Sequence, residues 1–130
     1  MKISVLKNYT IHLVTFLIVF SSCKKDNNGG SGSTTRKVQF KAEASAGSNI
    51  NMVVYGYDAT LTTASSLSGT TWTSPEITVP SSAKVSSVIM NGIGANASST
   101  LKVQIFVNGT LKKEGTGSGT ALSAQAQYNF

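Results

Sequence analysis

Apolar and polar residues alternate with a period of two in several stretches of the chain beyond residue 35. Such alternation is typical of half-buried β-strands, and no stretch after Cys23 shows the 3.6-residue period of an amphipathic helix. The stretches that we interpret as strands are 38–44, 50–57, 72–79, 85–90, 101–107, 111–114 and 122–128. About seven short strands with turns between them predict an all-β fold, an immunoglobulin-like antiparallel β-sandwich.

Turn residues separate these stretches. Asn108-Gly109 predicts a tight hairpin, because both residues accept positive φ angles. The glycine-rich pieces 92–94 and 115–119 are interpreted as turns, since neither precedes the helix that a phosphate-binding loop requires. Pro75 predicts an edge strand or a bulge, because proline cannot donate to a strand ladder. The segment 60–70 is rich in Ser and Thr and shows no clear alternation.

The stretch 50–57 is apolar on both faces, which predicts a central strand. Simple alternation places Ile50 on the same face as Met52 and Val54. The opposite face would then carry Tyr55 and Tyr57, together with Val53.

The first 22 residues have the pattern of a secretory signal. Lys2 and Lys7 form a basic start, residues 11–20 are mostly apolar, and two serines precede Cys23. These are the features of a cleaved signal peptide. The apolar run is about half of the roughly 20 residues that cross a bilayer as a helix. An uncleaved anchor helix, or cleavage at another peptide bond, is the alternative interpretation.

The sequence therefore predicts three segments. Residues 1–22 are the signal peptide, residues 23–35 are a flexible tether rich in Asn, Gly and Ser, and residues 36–130 form one β-sandwich domain. A flexible coil of this length spans roughly 20 Å, so the domain would stand off the membrane.

Residues 20–23, Phe-Ser-Ser-Cys, resemble the lipobox of bacterial lipoproteins, in which the cysteine becomes the first residue and carries diacylglycerol. That resemblance implies lipidation of Cys23. Lys24 in the second position implies release to the outer membrane, as in Gram-negative lipoproteins. Residues 23–28 also resemble the start of Bacteroidetes lipoproteins, in which a lysine followed by acidic residues directs the protein to the cell surface. We expect a lipid-anchored outer-membrane protein on the periplasmic or cell-surface face.

The basic excess of the chain is thinly spread. The net charge is +6 overall, and removal of residues 1–22 leaves nine basic and five acidic residues, a net charge of +4. The lysines mostly alternate with apolar residues, as on the solvent face of strands. Nucleic-acid binding requires a clustered basic stripe with interleaved aromatics, and none is present, so we expect no nucleic-acid partner.

Few side chains that perform chemistry follow Cys23. The only histidine, His12, lies in the signal segment, so Ser-His-Asp and Cys-His catalysis and the usual zinc sites are excluded. The remaining carboxylates show no motif of paired catalytic acids. We interpret Glu43 and Glu114 as solvent-facing charges and Asp58 as a turn residue. The sequence thus predicts no enzyme, no metal site and no cofactor.

Three aromatic residues are the candidate ligand-binding positions. Tyr55, Tyr57 and Trp72 lie close together in the sequence. An exposed platform of such rigid, amphipathic rings would stack on sugars, which makes a glycan a candidate partner. The alternative is that Trp72 fills the core, as a tryptophan does in many sandwiches.

A resemblance in outline to a known family covers about residues 37–128, and the segments that carry it are 105–111, 118–119, 79–81, 38–40 and 54–55. In these segments the chain resembles the MmpS-like transport accessory family. Actinobacterial members carry a cysteine pair where this chain has Val103 and Ala126, and a transmembrane helix rather than a lipid holds them. The resemblance implies a small envelope β-sandwich that assists a transporter, so an envelope protein is a second candidate partner.

Overall fold

The computed structural model describes residues 34–130, so the predicted signal peptide, Cys23 and nearly all of the tether lie outside the described residues. No helix occurs among residues 34–130. The nine strands are β1 (Arg36–Ala44), β2 (Asn49–Tyr57), β3 (Thr60–Ser65), β4 (Thr71–Thr73), β5 (Ile77–Val79), β6 (Val85–Ile93), β7 (Thr100–Val107), β8 (Thr110–Ser118) and β9 (Ala121–Asn129).

The strands form two antiparallel sheets. Sheet A has the order β4-β1-β7-β8, and β5 also pairs with β1; sheet B has the order β3-β2-β6-β9. The predicted all-β sandwich is confirmed, with nine strands rather than about seven. The core lies between the sheets and includes the fully buried side chains Phe40, Ile50, Met90, Leu101 and Ile105. These residues come from alternate positions of their strands, as the period of two requires.

The predicted face of Ile50 is wrong. The pairing of β2 with β6 shifts register between Ile50 and Met52, which is a β-bulge at Asn51. The extra residue reverses the alternation, so Ile50 is buried on the same face as Val53, while Met52 is half-buried on the opposite face.

The strand β3 went unrecognised because its Ser- and Thr-rich sequence shows no alternation. It pairs with β2 from Tyr57↔Thr60 to Met52↔Ser65. Of its side chains only Ala64 is even half-buried. A strand that contributes so little to the core leaves no hydrophobic pattern in the sequence.

The edge position predicted at Pro75 is confirmed, but the stretch 72–79 forms two strands rather than one. The segment is split into β4 and β5, which pair with two different parts of β1 at the edge of sheet A. Between them, the buried Ser74 replaces part of the ladder. Its backbone N–H donates to the carbonyl of Phe40 at 2.9 Å, and its Oγ accepts from the amide of Phe40 at 2.9 Å.

The hairpin predicted at Asn108-Gly109 is confirmed, with φ angles of 50° and 79° that match the twist of β7 and β8. The other glycine-rich pieces are mostly not turns. Gly92 lies inside β6, and Gly115 and Gly117 lie inside β8. The prediction failed because these glycines serve close backbone approach rather than chain reversal.

Gly115 and Gly117 bring β8 against β9 along one side of the sandwich. A Cβ atom on Gly115 would lie 1.7 Å from the carbonyl oxygen of Gln125, and one on Gly117 would lie 1.8 Å from that of Ser123. The two strands belong to different sheets and share no hydrogen-bonded ladder. Because a Cβ on either glycine would point at a carbonyl oxygen of β9, the contact there is between a glycine Cα–H and that oxygen. The sheets are thereby closed on the β8–β9 side.

Candidate interaction surface

The predicted aromatic candidates form part of a row that runs outward from the core. The ring centroids of Phe40 and Tyr55 are 5.3 Å apart, and those of Tyr55 and Trp72 are 5.2 Å apart, both tilted. Such spacings are within the range of favourable aromatic pairs. Tyr55 is 7% exposed and belongs to the core, whereas Trp72 is half-buried against it.

Tyr57 is half-buried and also packs on the core, but no ring contact joins it to Tyr55 or Trp72. The structure therefore brings Tyr55 and Trp72 together and does not unite the three rings in one exposed platform. Of the three candidates, Trp72 and Tyr57 keep part of their rings accessible, whereas Tyr55 is buried.

The carboxylates have structural partners or face solvent. Asp58 stands in the β2–β3 turn with φ of 45°, and its Oδ1 accepts from the backbone amides of Lys84 and Val85, both at 3.0 Å. Glu43 is exposed and lies 3.8 Å from the Nζ of Lys102. In residues 34–130 no group of three or more His, Cys, Asp or Glu is arranged to hold a metal ion.

The two sheets differ sharply in charge. The strands of sheet A carry six basic and two acidic residues, which are Arg36, Lys37, Lys41, Lys102, Lys112, Lys113, Glu43 and Glu114. The four strands of sheet B, all of them described, contain no Lys, Arg, His, Asp or Glu. Charge normally covers the solvent face of a sandwich, so an uncharged outer face is the unusual property of this domain.

The outer face of sheet B combines hydroxyl and amide groups with large aliphatic side chains. At its centre Val54 of β2 pairs with Ile89 of β6. Leu61 is 51% exposed, Ile89 44% and Ile93 60%. Ser, Thr, Asn and Gln occupy most of the remaining outward positions. We call this surface, made by the outward residues of β2, β3, β6 and β9, the uncharged face.

An open depression of about 280 Å³ marks the uncharged face between β6 and β9, where it is lined by Ser87, Ile89, Gln125 and Gln127. The Lys113 side chain, from β8 of the other sheet, reaches its rim. A second open depression, of about 460 Å³, lies at the ends of β1 and β7, where the charged pair Glu43 and Lys102 lines it.

The fold makes the chain a member of the broad class of two-sheet β-sandwiches. No protein-family model and no curated protein matches this chain. Among the described residues, no helix is both long and apolar enough for a membrane span.

The uncharged face was not predicted from the sequence, although part of its signal is present there. The stretches 49–57, 85–93 and 121–129 each lack charge, while the other long strands carry it. What the sequence did not show is that these three strands, with β3, are neighbours in one sheet.

Proposed function

We propose that this protein is a non-enzymatic, lipid-anchored envelope protein whose uncharged face binds another envelope protein, as an accessory subunit of a transporter or similar complex. The observation that carries the proposal is the segregation of charge, with all strand charges on sheet A and none on sheet B.

A protein partner fits this surface better than the other ligand classes do. Protein interfaces are depleted of charge at their centre, where aliphatic and aromatic side chains bury the area. The centre of the uncharged face has Val54, Ile89 and Met52, with Leu61 and Ile93 nearer its margins. An anionic ligand would need clustered basic groups, and the four strands of sheet B, all of them described, contain none. Lys113 of β8 lines the rim of the depression.

The membrane attachment in this proposal rests on the sequence. Residues 1–22 would be removed, and Cys23 would carry the lipid that holds the protein on the outer membrane, on its periplasmic or cell-surface face. The resemblance to MmpS-like accessory domains supports a transporter as the partner. The immunoglobulin-like topology of the sandwich stays a prediction. A sandwich built without charge on one sheet is consistent with a domain that covers that sheet in a complex.

The test is cross-linking of the full-length protein in its native membrane, followed by purification and mass analysis of the partners. An Ile89→Lys variant adds charge at an exposed position at the centre of the face, and a Gln39→Lys variant adds the same charge on sheet A as the control. We expect Ile89→Lys to remove a stoichiometric envelope partner that Gln39→Lys retains. A partner that both variants retain equally would refute the role of the face.

Glycan binding is the second candidate function, and one observation favours it. Trp72 and Tyr57 are both half-buried, so part of each ring is accessible to a sugar. Titration of the protein with soluble bacterial polysaccharides would then change the fluorescence of Trp72, the only tryptophan of the chain. An unchanged spectrum, and equal polysaccharide retention by a Trp72→Ala variant, would exclude this function.

A further inference from the structure

Three of the four sheet edges are protected against pairing with another strand. An exposed edge strand presents unpaired N–H and C=O groups, and natural sheets block such edges with proline, charge, bulges or cover. The outer edge of sheet A is broken into β4 and β5 at Pro75. Its other edge, β8, has a bulge opposite Ile105 and Phe106 and carries Lys112, Lys113 and Glu114.

The β9 edge of sheet B is protected by cover. The carbonyl oxygens of Ser123 and Gln125 point at the glycine Cα atoms of β8, since a Cβ placed on either glycine would lie less than 2 Å from one of them. A foreign strand cannot reach these acceptors without displacing β8.

The fourth edge, β3, has none of these protections. Its sequence, Thr60 to Ser65, contains no charge, no proline and no glycine, and its pairing with β2 is regular over six residue pairs. Five of its six side chains are exposed. Alternation of the antiparallel ladder leaves about half of its backbone groups directed away from β2. Within residues 34–130, no backbone hydrogen bond or strand ladder occupies that outer side of β3.

We infer that β3 pairs with β3 of a second copy of this chain, antiparallel and about a two-fold axis, so that two copies of sheet B form one continuous eight-stranded sheet. The overlap of the two strands is greatest when Thr62 or Thr63 lies on the axis, and every facing side chain, Leu61 included, is then uncharged. Threonine pairs across strands are favourable. No like charges meet along this edge, whereas an equivalent pairing through β8 would oppose lysines. Two-fold symmetry is the commonest arrangement of identical subunits. The inference does not depend on the proposed function.

Disulfide cross-linking of full-length protein in its membrane tests this inference. In a two-fold antiparallel pair one central residue faces its own copy, so either Thr62→Cys or Thr63→Cys places two thiols in bonding range. Ile89→Cys is the control, because β6 lies two strands further in and its copies would be about 24 Å apart. The unmodified chain, which contains Cys23, supplies the baseline.

We expect a covalent dimer from at least one of the two threonine variants, at several times the baseline, and none from Ile89→Cys. A dimer from Ile89→Cys alone would show packing through the uncharged face and would overturn the inference. The absence of a dimer from both threonine variants would overturn it as well.

A second pair of variants distinguishes a stable dimer from two molecules that a disulfide links during a chance collision. Thr63→Lys adds a charge to β3, and Gln125→Lys adds the same charge to an exposed position of β9 in the same sheet. The molar mass of the detergent-solubilised protein, measured by light scattering, should halve for Thr63→Lys and stay dimeric for Gln125→Lys. Equal masses for the two variants would contradict the pairing. If the dimer forms but cross-linking captures no envelope partner, only the proposed function is refuted.

Discussion

Replacement of Gly117 by alanine should strongly destabilise the domain, because this glycine sets the distance between β8 and β9. The added Cβ would lie 1.8 Å from the carbonyl oxygen of Ser123 and 2.7 Å from its carbon, both backbone atoms. Ordinary contact requires a separation of about 3.4 Å, so one strand has to move by more than 1 Å. Nine residue pairs with β6 hold β9 in place. Eight residue pairs with β7, one of them at Gly117 itself, hold β8 in place.

The magnitude follows from two opposing effects. Overpacking of this kind costs about 3 kcal/mol, the upper part of the usual range, since backbone rather than a side chain must yield. The φ angle of Gly117 is not positive, so alanine fits the local backbone and recovers up to about 1 kcal/mol through the unfolded chain. We expect a net loss of about 2 kcal/mol in the free energy of unfolding. This equals a fall of about 8–16 °C in Tm for a domain of this size.

The assay is urea and thermal unfolding of the purified full-length protein, followed by the fluorescence of Trp72. Thr116→Ala is the matched control, because Thr116 precedes the glycine in the same strand and is exposed. It should change the free energy of unfolding by less than about 0.5 kcal/mol. If Gly117→Ala were as stable as this control, the close β8–β9 contact would be refuted.

Three further predictions concern buried or half-buried side chains. Ser74→Ala should lower the free energy of unfolding by about 1–3 kcal/mol, because the buried amide of Phe40 loses its acceptor. An unchanged midpoint of urea unfolding would contradict this. Ser86→Ala should raise the melting temperature and the free energy of unfolding, the latter by about 1 kcal/mol, since it removes a fully buried hydroxyl without a hydrogen-bond partner. A lower Tm would show that the Ser86 hydroxyl has a partner. Iodide should quench Trp72 less than free tryptophan but more than a fully buried ring, and quenching as strong as that of free tryptophan would place the ring outside the core.

The strands that the sequence predicted correctly are those whose alternation reaches the core. Leu101, Val103, Ile105 and Val107 are all buried, and the polar or larger residues between them are half-exposed. The hairpin turn at 108–109 was predictable because its chemistry is local. These elements are predictable because the residues that show the sequence pattern are the same residues that determine the backbone conformation.

The errors arise where the deciding contact lies far away in the sequence. The bulge at Asn51 inserts one residue without any change in composition, and so it reversed the predicted face of Ile50. Gly115 and Gly117 have the appearance of a loop, and only the approach of β9 explains why a strand contains them. The strand β3 contributes little to the core, so its hydrogen bonds alone define it.

The candidate site was predictable in part. Trp72 does lie near the surface, yet it stacks on Tyr55, which the core encloses, and a sequence does not report that contact. The uncharged face requires the order of the strands in sheet B, which is a tertiary property. Segregation of charge between two sheets therefore emerges only when strands distant in the chain are placed side by side.

Site-specific photo-cross-linking in living cells tests whether the uncharged face is the surface that binds the partner. A photoreactive residue is placed at Ile89 on the uncharged face, and in a second variant at Gln39 on sheet A. We expect Ile89 to cross-link to one envelope protein, identified by mass, and Gln39 not to do so. A partner captured from Gln39 but not from Ile89 would contradict this expectation, because binding would then use the charged sheet.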